Sequence, residues 1–119
     1  YRTTRRIAGV STLEKSDQGR ACKRSVGLIA DFERVGEWYE LPFETLYTAA
    51  CDNLLAAGRM ISSDGWAWDV TRVIPVCALS GQAAGTAAAL ACKTEKSLQA
   101  LPIDRLQATL EKQGVRLHR

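Results

Sequence analysis

Arginines and tryptophans are the residues of this sequence whose types and spacing could do chemistry. Arg2, Arg5 and Arg6 lie close together near the beginning of the chain. Guanidinium groups bind carboxylate and phosphate through paired hydrogen bonds, so this cluster is a candidate for anion recognition. Three arginines also suit the solvated face of a strand, and the sequence leaves both interpretations open.

Two indoles stand further along, at Trp66 and Trp68, after a Ser-Ser-Asp-Gly turn. In an extended segment, residues two apart lie on the same side, so we expect both rings to face one way. They either cover apolar surface or form a stacking wall for a flat ligand. The residue types fit both roles equally.

A long helix of small residues, from about residue 75 to residue 93, must position any site. The sequence predicts a buried, parallel strand over Leu54 to Ala57 before it, ending at Gly58. Pro75 suits the first turn of a helix. Since a helix N-terminus offers unpaired N–H groups and the positive end of the dipole, a partly negative group could bind just ahead of Val76. Arg59 and Arg72 would add positive charge.

The same helix predicts two different faces. Val76, Leu79, Ala83, Ala87 and Leu90 recur at helical spacing and predict a core-facing stripe. Gly81, Gly85 and Ala89 form a second face with almost no side chain, which predicts close packing against a helix, a sheet or a cofactor. Residues 73–92 are long enough to cross a membrane, but Ala, Gly, Ser, Thr and Gln dominate them and favour a buried helix of a soluble protein.

The rest of the sequence predicts an α+β chain. A short helix is expected from about Leu13 to Lys23. A β-hairpin is expected from Leu28 to Glu33 and from Trp38 to Leu41, ended by Pro42. A closing helix is predicted over about residues 102–113, with Leu106 and Leu110 facing inward and Gly114 as its stop.

Composition and missing motifs exclude several classes of function. A net charge of +3 over 119 residues is too weak to indicate nucleic acid. The cysteines Cys22, Cys51, Cys77 and Cys92 have no C-x-x-C spacing, and the single histidine is His118, so we expect no metal site. There is neither a G-x-G-x-x-G fingerprint nor a P-loop. The N-terminal arginines lack the apolar core of a signal peptide, and free cysteines favour a reducing, cytoplasmic location.

Three segments, in order, resemble the FAD-dependent oxidoreductase family whose members have a glutathione-reductase-type, two-part flavin fold. Arg2 to Gly9 is similar to Arg-x-x-Arg-Arg-Ile-x-Gly, and Tyr39 to Leu46 is similar to Tyr-x-Ile-Pro-Tyr-x-x-Leu. The most specific segment is Asp52 to Ser62, followed by Arg72 to Pro75 and by the Gly81 to Ala89 stretch. The resemblance covers nearly the whole chain.

This resemblance implies that the chain is the C-terminal part of such a flavoprotein, an incomplete α/β unit. Residues 1–50 would belong to the substrate domain, and residues 51–119 to the FAD-binding domain. The resemblance places the cofactor FAD beside Gly58, Arg59, Arg72, Val76, Cys77 and Leu79, and it makes Arg5, Arg6, Trp66 and Trp68 the substrate-side candidates. Backbone N–H groups around Val76 to Leu79 would stabilise negative charge on reduced flavin.

Departures from the family pattern limit what can be carried over. Family members often have a histidine and a Gly-Ser pair in the loop before the arginine, where this chain has Gly65, Asp69-Val70 and the two tryptophans. No adenine-binding unit is present, so we expect the isolated chain to bind FAD weakly or not at all and to be inactive. Its expected partner is the missing N-terminal part of the same polypeptide, with no nucleic acid and no membrane. The alternative is a small cofactor-free module that associates, also as a homo-oligomer, through the Ala/Gly-rich helix.

Overall fold

The computed structural model describes residues 5–119 of the chain. Over that range the chain forms a two-stranded antiparallel sheet and three α-helices, which confirms the α+β class. The strands are β1 (Ser25–Ala30) and β2 (Trp38–Pro42). The helices are α1 (Gly65–Thr71), α2 (Ile74–Thr94) and α3 (Ile103–Lys112), and short 3-10 turns occupy Lys15–Asp17, Phe43–Thr45 and Gly58–Met60.

The β-hairpin is confirmed, but β1 starts and ends three residues earlier than predicted, so Asp31 to Glu33 lie outside the strand. Leu28 pairs with Glu40 and Ala30 with Trp38, and an irregularity separates Ser25 from Leu28. Pro42 ends β2, as expected from its missing N–H. On the other edge of β1, the Leu28 N–H donates to the Arg116 carbonyl oxygen at 2.8 Å, so the C-terminal segment lies along the hairpin.

Helix α2 matches its predicted bounds to within a residue at each end. Its N-cap, Val73, has an extended backbone, and proline lies in the first turn. Val76, Ala83 and Ala87 are buried and Leu79 and Leu90 partly buried, which confirms the predicted core-facing stripe. Leu79 packs directly over Gly27 of β1: a Cβ on that glycine would lie 2.4 Å from a Leu79 methyl carbon.

The core joins residues from both halves of the chain. Tyr39, Leu41 and Phe43 of the hairpin region are fully buried beside side chains of α2 and α3. Leu106 and Leu110 face inward and Gly114 has a φ of +87°, as predicted for the closing helix and its stop. The assignment of residues 1–50 and 51–119 to different domains of a larger protein stays a prediction.

Three predictions of local structure are wrong. Leu54 to Ala57 is not a strand: Leu55 makes one isolated antiparallel bridge with Tyr47, and Leu54 is half exposed. Leu13 to Lys23 contains only the Lys15–Asp17 turn, since Leu13 is bridged to Ser63. Trp66 and Trp68 lie in α1 and not in an extended segment.

The glycine face of α2 is also unlike its prediction. Gly81, Gly85 and Ala89 are exposed, and a Cβ built on either glycine would meet no atom within 4 Å among the residues that the structure describes. By length and composition α2 could cross a membrane, a test that core helices of soluble proteins also pass; 22% of its most apolar stretch is buried. The helix is therefore only partly buried, and the prediction of a close neighbour for its glycines is not met within residues 5–119.

Candidate functional site

A tight turn at Gly58 is held against the first turns of α2. Gly58 has a φ of +74°, a left-handed conformation that costs little only for glycine. Its N–H donates to the Ser80 hydroxyl oxygen at 2.9 Å, and that hydroxyl donates to the Cys77 carbonyl oxygen at 3.0 Å. Two of the predicted cofactor-binding residues, Gly58 and Cys77, are thus brought together by Ser80.

The beginning of α2 offers fewer free donors than the sequence suggested. The N–H groups of Val76 and Cys77 both donate to the Val73 carbonyl oxygen, at 3.1 and 3.0 Å, and Pro75 has no N–H. Among the described residues, the exposed Ile74 supplies the first-turn N–H to which no acceptor is assigned. The contribution of this end to an anionic group is therefore mainly the dipole of a 21-residue helix with no acidic residue in its first turn.

The two arginines predicted beside this helix lie in different settings. Arg59 is exposed on the Gly58–Met60 turn, next to the glycine that bonds Ser80. Arg72 follows the end of α1; its Nε donates to an Asp69 oxygen at 2.9 Å, and its guanidinium carbon is 5.4 Å from the ring centroid of Trp68. The charge of Arg72 is thus already partnered, which reduces what it adds to the helix dipole.

Arg6 connects the N-terminal segment to the loop before α1. Its Nη1 donates to the Ser62 hydroxyl at 3.1 Å, and its Nη2 lies 3.6 Å from a carboxylate oxygen of Asp64. Arg5 is exposed, and Arg2 lies outside the described residues. These contacts do not decide between anion recognition and a solvated strand face for the N-terminal arginines, although Arg6 already has an acidic partner.

Trp66 and Trp68 are separated by the helical geometry of α1. The Trp66 indole N–H donates to a buried oxygen of Asp31 at 2.6 Å, and the Arg34 guanidinium lies 4.3 Å from the Trp66 ring centroid. Trp68 contacts Arg72 instead. The prediction that both rings face one side is wrong, because side chains two residues apart point about 200° apart around a helix axis.

Asp31 is a buried carboxylate beside this helix, and several hydrogen bonds hold it in place. Burial alone would raise its pKa, but hydrogen bonds from Trp66 and from the amides of Glu33 and Arg34, with the charge of Arg34, lower the pKa. The side chain of Asp31 is fully buried. It therefore acts as an ionised anchor that joins the end of β1 to α1.

An apolar cleft of about 600 Å³ runs between the start of α2, β1 and the C-terminal segment. Val73, Pro75, Val76 and Leu79 form its α2 wall, and residues 28–30 and 114–116 form the opposite wall. The predicted residues Val76 and Leu79 thus line the cleft. Gly58 and Arg59 are not among its lining residues.

A second polar group of residues, which the sequence did not single out, surrounds Glu40. This carboxylate is almost fully buried and accepts the Cys22 N–H at 2.7 Å and contacts His118 Nδ1 at 2.9 Å. Burial and nearby carboxylates raise the pKa of the Cys22 thiol, which disfavours a nucleophilic thiolate. Among the described residues, no three His, Cys, Asp or Glu side chains are placed to hold a metal ion.

Comparison with known proteins connects this arrangement to one family. A family model described as FAD dependent oxidoreductase matches residues 29–110. The chain belongs to the FAD-dependent oxidoreductase family. No curated protein and no solved structure matches the chain. The matched region contains the Gly58 turn, α1, α2 and most of α3, and it leaves out the arginine-rich opening segment.

The residues of this family member fit part of what FAD requires. The α2 dipole favours partial negative charge, the apolar cleft beside it suits a flat ring, and the left-handed Gly58 keeps a side chain away from the turn. Ser80 is the site residue that sequence reasoning missed. Its signal was a single polar side chain on the core-facing side of an otherwise apolar helix.

Proposed function

We propose that this chain is the C-terminal part of an FAD-dependent oxidoreductase with a glutathione-reductase-type flavin fold, and that it supplies one side of the flavin site. The observation that carries the proposal is the joining of the Gly58 turn to the first turns of α2, in a chain that belongs to this family. FAD, when bound, supplies the hydride-accepting ring of the oxidoreductase reaction.

The chain's own residues would bind and orient that ring. Gly58 and Arg59 would lie along the flavin's ribityl chain, and the α2 dipole would stabilise negative charge at its pyrimidine edge. Val76 and Leu79 would exclude water along the apolar cleft, with Cys77 and Arg72 at the same helix start. Arg5, Arg6, Trp66 and Trp68 would face the substrate side.

We also propose that this chain forms half of the FAD site. The chain has no G-x-G-x-x-G segment to hold the pyrophosphate, so the missing N-terminal part of the same polypeptide would supply it. We expect a fluorescence titration of the isolated chain with FAD to give weak or no binding, and no turnover. Sub-micromolar affinity would contradict the half-site assignment.

The product of the complete reading frame provides the positive test. We expect it to purify with flavin absorbance and to lose flavin affinity in Gly58→Ala. Gly19→Ala is the matched control, because Gly19 also has a positive φ of 68° and lies in a different turn. Equal flavin affinity in the two variants would remove Gly58 from the site, and absence of flavin from the wild-type product would overturn the proposal.

The second candidate is a cofactor-free module that associates through α2. The exposure of Gly81, Gly85 and Ala89 favours it, because small residues spaced by four let two helices approach closely. Light scattering of the isolated chain would then show a dimer that Gly85→Glu disperses. A monomer at all concentrations would contradict this candidate. The same candidate predicts that the protein encoded by the complete reading frame carries no flavin. On either candidate we keep the cytoplasmic location as a prediction.

A further inference from the structure

Ser80 is a fully buried serine whose hydroxyl bonds to two separate parts of the fold. It donates to the Cys77 carbonyl oxygen at 3.0 Å, within its own helix, and accepts the Gly58 N–H at 2.9 Å from the turn before α1. The first bond is common for serine in helices. The second bond is the one that joins α2 to a segment 22 residues earlier in the chain.

The two bonds together fix the direction of the hydroxyl. Because its proton is directed at Cys77, an oxygen lone pair is left for the N–H of Gly58. A buried N–H without an acceptor costs free energy, so loss of the hydroxyl would push the turn toward another conformation. The Gly58 turn would then no longer be held in the same position relative to α2.

We infer that Ser80 is a positioning residue, which holds the Gly58–Arg59 turn against α2 and so fixes where the turn lies relative to the start of that helix, the two elements assigned to the flavin. The inference rests on the proposed function, since it needs flavin to contact both elements. Binding sites lose affinity when their supporting groups let contact atoms drift by about 1 Å. Ser80 itself touches no flavin in this assignment.

The test compares Ser80→Ala with Ser25→Ala in the product of the complete reading frame. Ser25 is a matched control: its buried hydroxyl also accepts a glycine N–H, from Gly27 at 3.2 Å, and donates to a carbonyl, that of Leu117 at 2.7 Å. Both variants lose a similar pair of hydrogen bonds. Only Ser80→Ala loses them at the turn of Gly58.

Two readouts separate positioning from general stability. Amide hydrogen exchange at Gly58 should rise on the order of tenfold in Ser80→Ala and stay unchanged in Ser25→Ala. The FAD dissociation constant should rise about tenfold in Ser80→Ala relative to Ser25→Ala. Ser80→Thr keeps a hydroxyl able to bond the carbonyl three residues before, and we expect it to restore much of both values.

Each outcome has one meaning. Unchanged exchange at Gly58 in Ser80→Ala overturns the inference, because the hydroxyl would then not hold the turn. Faster exchange with the same FAD affinity as Ser25→Ala also overturns it, because the role would be structural alone. If wild-type protein binds no FAD, the proposed function fails first, and the wild-type titration distinguishes that result from the other two.

Discussion

Gly58 and Gly81 differ in backbone conformation, so alanine should have opposite effects at the two positions. Gly58 has a φ of +74°, where a side chain is strained, whereas Gly81 is an exposed helical residue with nothing within 4 Å of a built Cβ. We expect Gly58→Ala to cost about 1–2 kcal/mol and Gly81→Ala to stabilise by about 0.5–1 kcal/mol.

Denaturant unfolding of the two variants measures both values. Stabilisation by Gly58→Ala would contradict the left-handed conformation assigned to Gly58. Destabilisation by Gly81→Ala would show that the glycine face of α2 is covered by another part of the molecule or by a second copy.

Asp31 should give the chain an acid-sensitive contribution to stability. Its folded-state pKa is lowered, so the stabilisation is present above the unfolded pKa, about 3.9, and is lost as pH falls through the folded value. We therefore expect the difference in unfolding free energy between wild type and Asp31→Asn to be largest above about pH 4 and to shrink at lower pH.

Denaturant titrations between neutral and strongly acid pH provide this measurement. Asp104→Asn, at an exposed carboxyl in the first turn of α3, controls for the general loss of a negative charge. A difference for Asp31→Asn that grows on acidification would contradict the assigned direction of the pKa shift.

At the scale of elements, β1 and α2 are fitted together at Gly27 and Leu79. A Cβ at Gly27 would lie 2.4 Å from a Leu79 methyl carbon, closer than real contacts allow. Gly27→Ala should therefore destabilise by about 1–3 kcal/mol, as overpacking does. In the background Leu79→Ala, which removes the clashing atoms, the same change should cost much less.

A double-mutant cycle measured by denaturant unfolding tests this coupling. Additive effects of the two substitutions would mean that Leu79 does not occupy the space over Gly27. Gly114→Ala, at another constrained glycine, should show no such coupling to Leu79.

Element prediction succeeded where the determining contacts are local. Helices α2 and α3 follow from their periodicity, from Pro75 and from Gly114, all of which act within one or two turns of the chain. The strand predicted for Leu54 to Ala57 is absent, because four apolar residues do not specify a strand without a neighbouring strand. Within residues 5–119 this segment makes a single bridge, from Leu55 to Tyr47. The prediction of an extended segment at Trp66 and Trp68 is wrong because Asp64 caps the beginning of a helix there, and an alternating pattern does not reveal a helix.

At the scale of the whole molecule, the C-terminal segment closes the core. Leu117 is buried, its carbonyl oxygen accepts the Ser25 hydroxyl, and His118 contacts the buried Glu40. We expect Leu117→Ala to lower the free energy of unfolding by about 2–4 kcal/mol. Thermal or denaturant unfolding measures it, with Arg105→Ala on the exposed face of α3 as the control; a loss no larger than the control's would show that this segment does not pack as described.

The residue sequence by itself determined the family, the hairpin, α2, α3 and the core-facing stripe, because repeated motifs and periodic patterns are local properties of the chain. Only the tertiary structure decided how the candidate site is put together. The Ser80 hydroxyl reaches Gly58 across 22 residues of sequence, and the Trp66 indole donates to Asp31, which lies 35 residues earlier. Such contacts depend on where the whole fold places each element, and no spacing along the chain encodes that placement.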